Sequence, residues 1–167
     1  MRISFRHWVP LGLFVVIALV LWKGLQHDPH ELPSVMINQP FPEVAIQKEW
    51  AGKVVVLNVF ASWCLSCQIE NPQLIDKSQH SKALWIGLDY MDTPESAKAF
   101  FEKNGSPYQQ VIDDPDGKLA IDLGVYGVPE TFVLDKKGII RYRYAGPLTQ
   151  ATWEKELHPL LIELEQE

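Results

Sequence analysis

The chain carries an apolar, β-branched run from Val54 to Val59 that leads directly into Phe60-Ala61-Ser62-Trp63-Cys64-Leu65-Ser66-Cys67, and a helical pattern leads out of it. A strand that hands a thiol to a helix N-terminus surrounds that sulfur with unpaired backbone N–H groups and the positive end of the helix dipole. Both favour thiolate over thiol, and the thiolate is the species that attacks disulfides. Cys64 and Cys67 are the only cysteines in the chain. Their spacing lets the first thiol face solvent while the second sits one turn inside, so that the first attacks a substrate disulfide and the second resolves the mixed disulfide.

Two blander roles for the pair are weaker. A structural bridge across so short a loop contributes only about 2 kcal/mol and ties no distant segments. Zinc needs two further ligands, and neither a second C-x-x-C nor a paired histidine is present. Two thiolates could bind copper, but no histidine is placed to assist. The expected redox group is therefore the Cys64–Cys67 couple itself, with no cofactor and no metal.

The chain's 167 residues, 47% of them hydrophobic, suit one domain with a core. Residues 1–27 hold Arg2, Arg6 and Lys23 and no acid, which leaves 12 basic against 21 acidic residues, a net −9, for the remainder. An acidic body argues against nucleic acid as partner. From Val9 to Trp22 there is no charge. Counted from Phe5 or Trp8 to Leu25, with Lys23 snorkelling, the run approaches the minimum for a membrane span. A cleaved signal peptide has the same charged start and short apolar centre, yet Leu21-Trp22-Lys23-Gly24-Leu25 offers no small-residue cut site. The expectation is an uncleaved anchor over 1–26, with two arginines before it against one lysine after it placing the body outside the cytoplasm. Two cysteines so spaced would rest there as a disulfide.

Residues 27–42, with His27, Asp28, Pro29, His30, Pro33, Pro40 and Pro42, read as a proline-punctuated linker. The histidines lack further ligands nearby and read as solvated. The domain is expected over 43–167. Strands are expected at Lys53–Phe60, Ala83–Leu88 and Tyr108–Ile112, with a turn over Asp113-Asp114-Pro115-Asp116-Gly117. Helices are expected at Cys64–Gln79, from Thr93-Pro94-Glu95 to Asn104-Gly105, and over Lys118–Leu123. Glu130–Leu134 and Ile139–Tyr144 flank Asp135-Lys136-Lys137-Gly138 as a hairpin, and Thr149 caps a last helix. This alternation predicts a three-layer α/β domain with a central mixed sheet. Trp50, Trp85 and Trp153 read as packing residues, and His80 and His158 as surface.

Trp63-Cys64-x-x-Cys67 after a hydrophobic strand resembles the thioredoxin superfamily, and Pro72 matches the proline inside its active-site helix. Gly124-Val125-Tyr126-Gly127-Val128-Pro129-Glu130-Thr131-Phe132 is similar to the signature of the membrane-anchored cytochrome c biogenesis thioredoxins, the DsbE/CcmG group. The resemblance extends from Val54 to about the C-terminus. It implies a thioredoxin-like fold with a cis Pro129 facing the cysteines and the Val128 backbone docking a substrate strand. Trp63 would cover the disulfide and meet partners, and Tyr126 would flank the turn. Asn58 stands where thioredoxins carry a buried, proton-accepting aspartate. Glu70, a helical neighbour of Cys67, stands where the group has an acid, and would relay the Cys67 proton. Glu130 is a second candidate acid, and Asp89, Tyr90 and Asp92 are candidates for the groove rim. Leu65-Ser66 departs from the proline-containing insert common among relatives.

The resemblance further implies a reductant on the periplasmic side of a bacterial inner membrane. Its partners would be apocytochrome c, at the C-x-x-C-H disulfide, or a cytochrome c maturation component, and a DsbD-type transmembrane thiol reductase would supply electrons. Alternatives are a reductant for another extracytoplasmic target, such as a copper-assembly or spore protein, a non-redox module that holds apocytochrome or haem, and a disulfide oxidase or isomerase.

Overall fold

The computed structural model describes residues 8–24, 36–42 and 48–167, as two compact units. The first contains helix α1 (Trp8–Gly24), 17 residues of almost unbroken apolar character with Lys23 in its last turn. No helix among the described residues is long and apolar enough to cross a membrane. At about 1.5 Å per residue, α1 falls a turn short of a bilayer core of roughly 30 Å. Arg2, Arg6, His27 and His30 lie outside the described residues.

The second unit is built on a mixed sheet. Among the described residues, β1 (Val55–Phe60), β2 (Leu84–Tyr90), β3 (Gln110–Asp114), β4 (Glu130–Leu134) and β5 (Ile140–Ala145) lie in the order β3-β2-β1-β4-β5. β1 pairs parallel with β2 and antiparallel with β4. β1 is therefore central and buried at every position, as its nearly continuous apolar run, broken only by Asn58, requires.

Side chains alternate across the sheet, so each face has its own cover. One face carries Val55, Leu57, Val59, Ile86 and Leu88 against Ala120 and Leu123, at and just after the short helix α4 (Lys118–Asp122). The other carries Val56 and Trp85 under α2 (Leu65–Gln79) and the C-terminal helices. At its active end, Phe60 packs with Ala97 and Phe100 of α3 (Pro94–Asn104). The expected three-layer α/β architecture is the observed one.

Residues 36–42 do not behave as spacer. Pro40 bridges Ile139, the Phe41 N–H donates to the Gly138 carbonyl (2.9 Å), and Phe41 is 1% exposed in the core. An apolar ring beside an open strand edge is buried by docking there, so the folded unit begins before residue 43.

Two local readings also change. β3 starts at Gln110, leaving Tyr108 before it, and runs on to Asp114 because Asp113 and Asp114 pair with Asp89 and Tyr90. The Asp114 carboxylate then accepts the N–H groups of Leu119 and Ala120 and caps α4. The last helix is composite: α5 (Gln150–Thr152), a π turn (Trp153–Leu157) and α6 (His158–Gln166). Pro159, with no N–H to give, follows the wide turn. Trp50, Trp85 and Trp153 are buried, and His80 and His158 are exposed.

Candidate active site

Cys64 is the N-cap of α2, in extended conformation, and its Sγ accepts the Cys67 N–H at 3.1 Å. The two cysteines are joined as a disulfide. The expectation that Cys64 faces solvent is corrected here: the residue is 6% exposed and Cys67 3%. Both sit in the cluster with Phe60, Ala61, Ala97 and Phe100, and Val128 packs against it.

The loop that carries the thiols is gripped from β2's far end. The Ser62 N–H donates to Asp92 Oδ2 (2.6 Å) and the Trp63 indole N–H to the Met91 carbonyl (3.2 Å). Partial burial works against the Asp92 charge, but hydrogen bonds from Ser62, Thr93 and Ser96 hold its carboxyl below the usual range. Trp63 remains 58% exposed at the mouth of the site.

Glu70 lies one turn beyond Cys67 and is buried, as are Asn58 and Thr131 beside it. Register explains the grouping, since Asn58 of β1 stands opposite Thr131 of β4 and Gly87 of β2. The Asn58 Nδ2 donates to Glu70 Oε1 (3.2 Å) and to Thr131 Oγ1 (3.1 Å), while the Leu148 N–H donates to Glu70 Oε2 (2.7 Å). Burial pushes the Glu70 carboxyl up to about 7, against the opposing pull of Leu148 and Asn58. Near neutrality, such a group exchanges protons in either direction.

The Val128–Pro129 peptide is cis, the conformation the resemblance implies. With Tyr126, Gly127, Glu130, Ala145 and Gly146 it lines an open hollow of about 250 Å³. Tyr126 is exposed and lies under the Arg143 guanidinium, 5.1 Å from ring centre. Glu130 is buried, and both its oxygens are engaged: Oε1 accepts the Tyr126 N–H (2.8 Å) and Oε2 pairs with Arg143 (2.8 Å). It braces the 126–130 turn rather than presenting a second acid to the sulfurs.

Asp89 lies on the same sheet face, opposite Phe60, with neither carboxylate oxygen hydrogen-bonded among the described residues. Burial, together with the charges of Asp92 and Asp113, pushes it up to about 7. Tyr108, Leu148 and Arg143 carry no signal in the sequence as parts of the site, and Thr131 enters it only within the Gly124–Phe132 segment. The partners of all four lie far away along the chain, so no local spacing signals these contacts. Among the described residues no cluster of His, Cys, Asp or Glu is arranged to hold a metal.

A strand-to-helix disulfide, a cis-proline wall and a buried acid beside the second cysteine define a thiol–disulfide oxidoreductase on a thioredoxin-like fold. The chain belongs to the AhpC/TSA family, which matches residues 31–143. Within that class it is a DsbE-like thiol:disulfide interchange protein. It is 37% identical over 167 residues to the thiol:disulfide interchange protein DsbE of Pseudomonas aeruginosa, covering 93% of this chain and 92% of that one. Identity to the Escherichia coli K12 DsbE is 37% over 169 residues, 91% of each. A structure assigned as DsbE from Chlorobium tepidum superposes with a TM-score of 0.56 at 25% identity, covering 71% of this chain and 84% of that one.

Proposed function

We propose that this protein is a membrane-anchored reductant of the periplasm that keeps the C-x-x-C-H thiols of apocytochrome c reduced for haem attachment. The observation that carries the reducing direction is the buried Glu70 carboxyl beside Cys67. A strongly oxidising couple stabilises its dithiol form through a low-pKa thiolate. A carboxylate beside Cys67 opposes ionisation of the Cys67 thiol in the reduced pair, which favours the disulfide form and makes the dithiol a donor of electrons. The similarity to DsbE proteins and the Gly124–Phe132 segment support the cytochrome substrate. The apolar α1 and its basic flank support the anchor.

The Cys64 thiolate attacks one sulfur of the substrate disulfide, and the other leaves as a thiolate. Cys67 gives its proton to Glu70 and attacks Cys64 Sγ. The Cys64–substrate bond breaks, the second substrate sulfur leaves with the electron pair, and two electrons have passed to the substrate. The protein disulfide then needs a dithiol donor, for which a DsbD-type transmembrane reductase has the required chemistry. The exposed Trp63 and Tyr126 and the Val128 backbone flank the path of an entering chain.

The test traps the first intermediate. A Cys67→Ala chain, isolated from carbonate-washed membranes, is expected to carry apocytochrome c or a maturation component in mixed disulfide with Cys64. Loss of the chain to the carbonate wash would refute the anchor. Recovery of general secreted proteins alone would refute the cytochrome role.

A further inference from the structure

We propose that Tyr108 is a positioning residue for thiol exchange: seated on Gly87, its hydroxyl orients the Asn58 amide toward Glu70 and so sets when that carboxyl accepts the Cys67 proton. This deepens, and rests on, the reading of Glu70 as proton acceptor. The geometry begins in the middle of β2. Gly87 is in register with Asn58, and a Cβ there would lie 2.7 Å from Tyr108 Cδ2 and 2.8 Å from Phe60 Cε1. Only glycine leaves room for the Tyr108 ring, which stacks on Phe60 at 5.1 Å and meets Phe101 edge-on at 5.8 Å.

So placed, the Tyr108 hydroxyl donates to Asn58 Oδ1 at 2.5 Å. Burial, with the Glu70 and Asp89 carboxylates, holds the phenol well above its ordinary value, so it remains a donor. A primary amide has one accepting and one donating end. With Oδ1 committed to Tyr108, Nδ2 faces Glu70 and Thr131, and its bond to Glu70 favours the carboxylate. Without the hydroxyl, only Glu70 and Thr131 orient the amide, and the Thr131 hydroxyl and a protonated Glu70 can each donate to a turned Oδ1 instead. Among the described residues, Glu70 is met by Cys67 on its own helix, by Asn58 from the sheet and by the Leu148 N–H before α5, with Thr131 beyond Asn58, the buried Tyr144 in register with Thr131, and Tyr108 with Asp89 behind it.

The resolving step can be read without the physiological partner. A thionitrobenzoate adduct on Cys64 loses its thiolate as the Cys67 sulfur attacks Cys64, while the Cys67 proton passes to Glu70. The release rate is measured against pH in the full chain in an Asp89→Asn background, which leaves Glu70 as the acid titrating near 7 on this face. The parent should show an inflection that Glu70→Gln abolishes. Tyr108→Phe, which keeps the ring, should move it upward by about half to one pH unit, the size of one lost neutral hydrogen bond. Gly87→Ala should move it the same way by unseating the ring. A uniform change in rate with an unmoved inflection in Tyr108→Phe overturns the proposal and leaves the Glu70 reading intact. An inflection that survives Glu70→Gln overturns both.

Discussion

Glu130 and Arg143 form a buried pair, with side chains 2% and 5% exposed, that also holds the Tyr126 N–H and, through Arg143 Nη2, the Gly124 carbonyl (2.6 Å). Removing one member leaves a charge stranded away from water. Glu130→Gln is therefore expected to lower the urea unfolding free energy by about 3 kcal/mol. A loss under about 1 kcal/mol would show that the pair is solvated in practice. At this scale the sequence was informative where chemistry is local. Cys64, Cys67 and Glu70 share one helical stretch, and their spacing alone makes them neighbours. Arg143 is 13 residues from Glu130 and Tyr108 is 50 from Asn58, so these contacts exist only once strand pairing and the segment before β3 bring them together.

Among the elements, the stretch 36–42 shows how an exposed strand edge gains cover. Its bridge to Ile139 and the docking of Phe41, 5.7 Å from the Trp50 ring, close the core face opposite α2. Phe41→Ala is expected to cost about 3–5 kcal/mol, measured as a fall in the chemical or thermal midpoint of the oxidised protein. An unchanged midpoint would return these residues to the linker. Proline-rich composition made the segment look like spacer, because composition reports what a segment cannot continue and not what it lies against. By contrast, α3 was legible to its ends. Its Thr93 cap, whose hydroxyl accepts the Ser96 N–H, and the stop at Gly105 (φ 76°) are local devices.

For the molecule as a whole, the two buried acids set the pH dependence of stability. Glu70 and Asp89 both rise to about 7 on folding, from ordinary values of 4.5 and 3.8. The folded state therefore binds protons more tightly than the unfolded state between those limits. Stability contributed by the two groups is greatest below about pH 4 and falls as pH rises through about 7, where it levels. Urea midpoints should decline between about pH 5 and 7, and Asp89→Asn should flatten that decline by up to one proton's worth of slope. A decline unchanged in Asp89→Asn would show that Asp89 is ionised in the native protein across this range.

By itself the sequence determined the class of the molecule. The alternation of apolar strands and capped helices, the strand-to-helix thiol pair and the Gly124–Phe132 segment depend only on neighbours along the chain. Only the tertiary structure decided how the site is controlled. The β1–β2 and β1–β4 registers put Asn58 opposite Gly87 and Thr131, the gap at Gly87 seats Tyr108, and Leu148 closes on Glu70 from the far end of the domain. Burial and hydrogen bonding set the proton affinity of an acid, and both are sums over groups that meet only when the chain has folded.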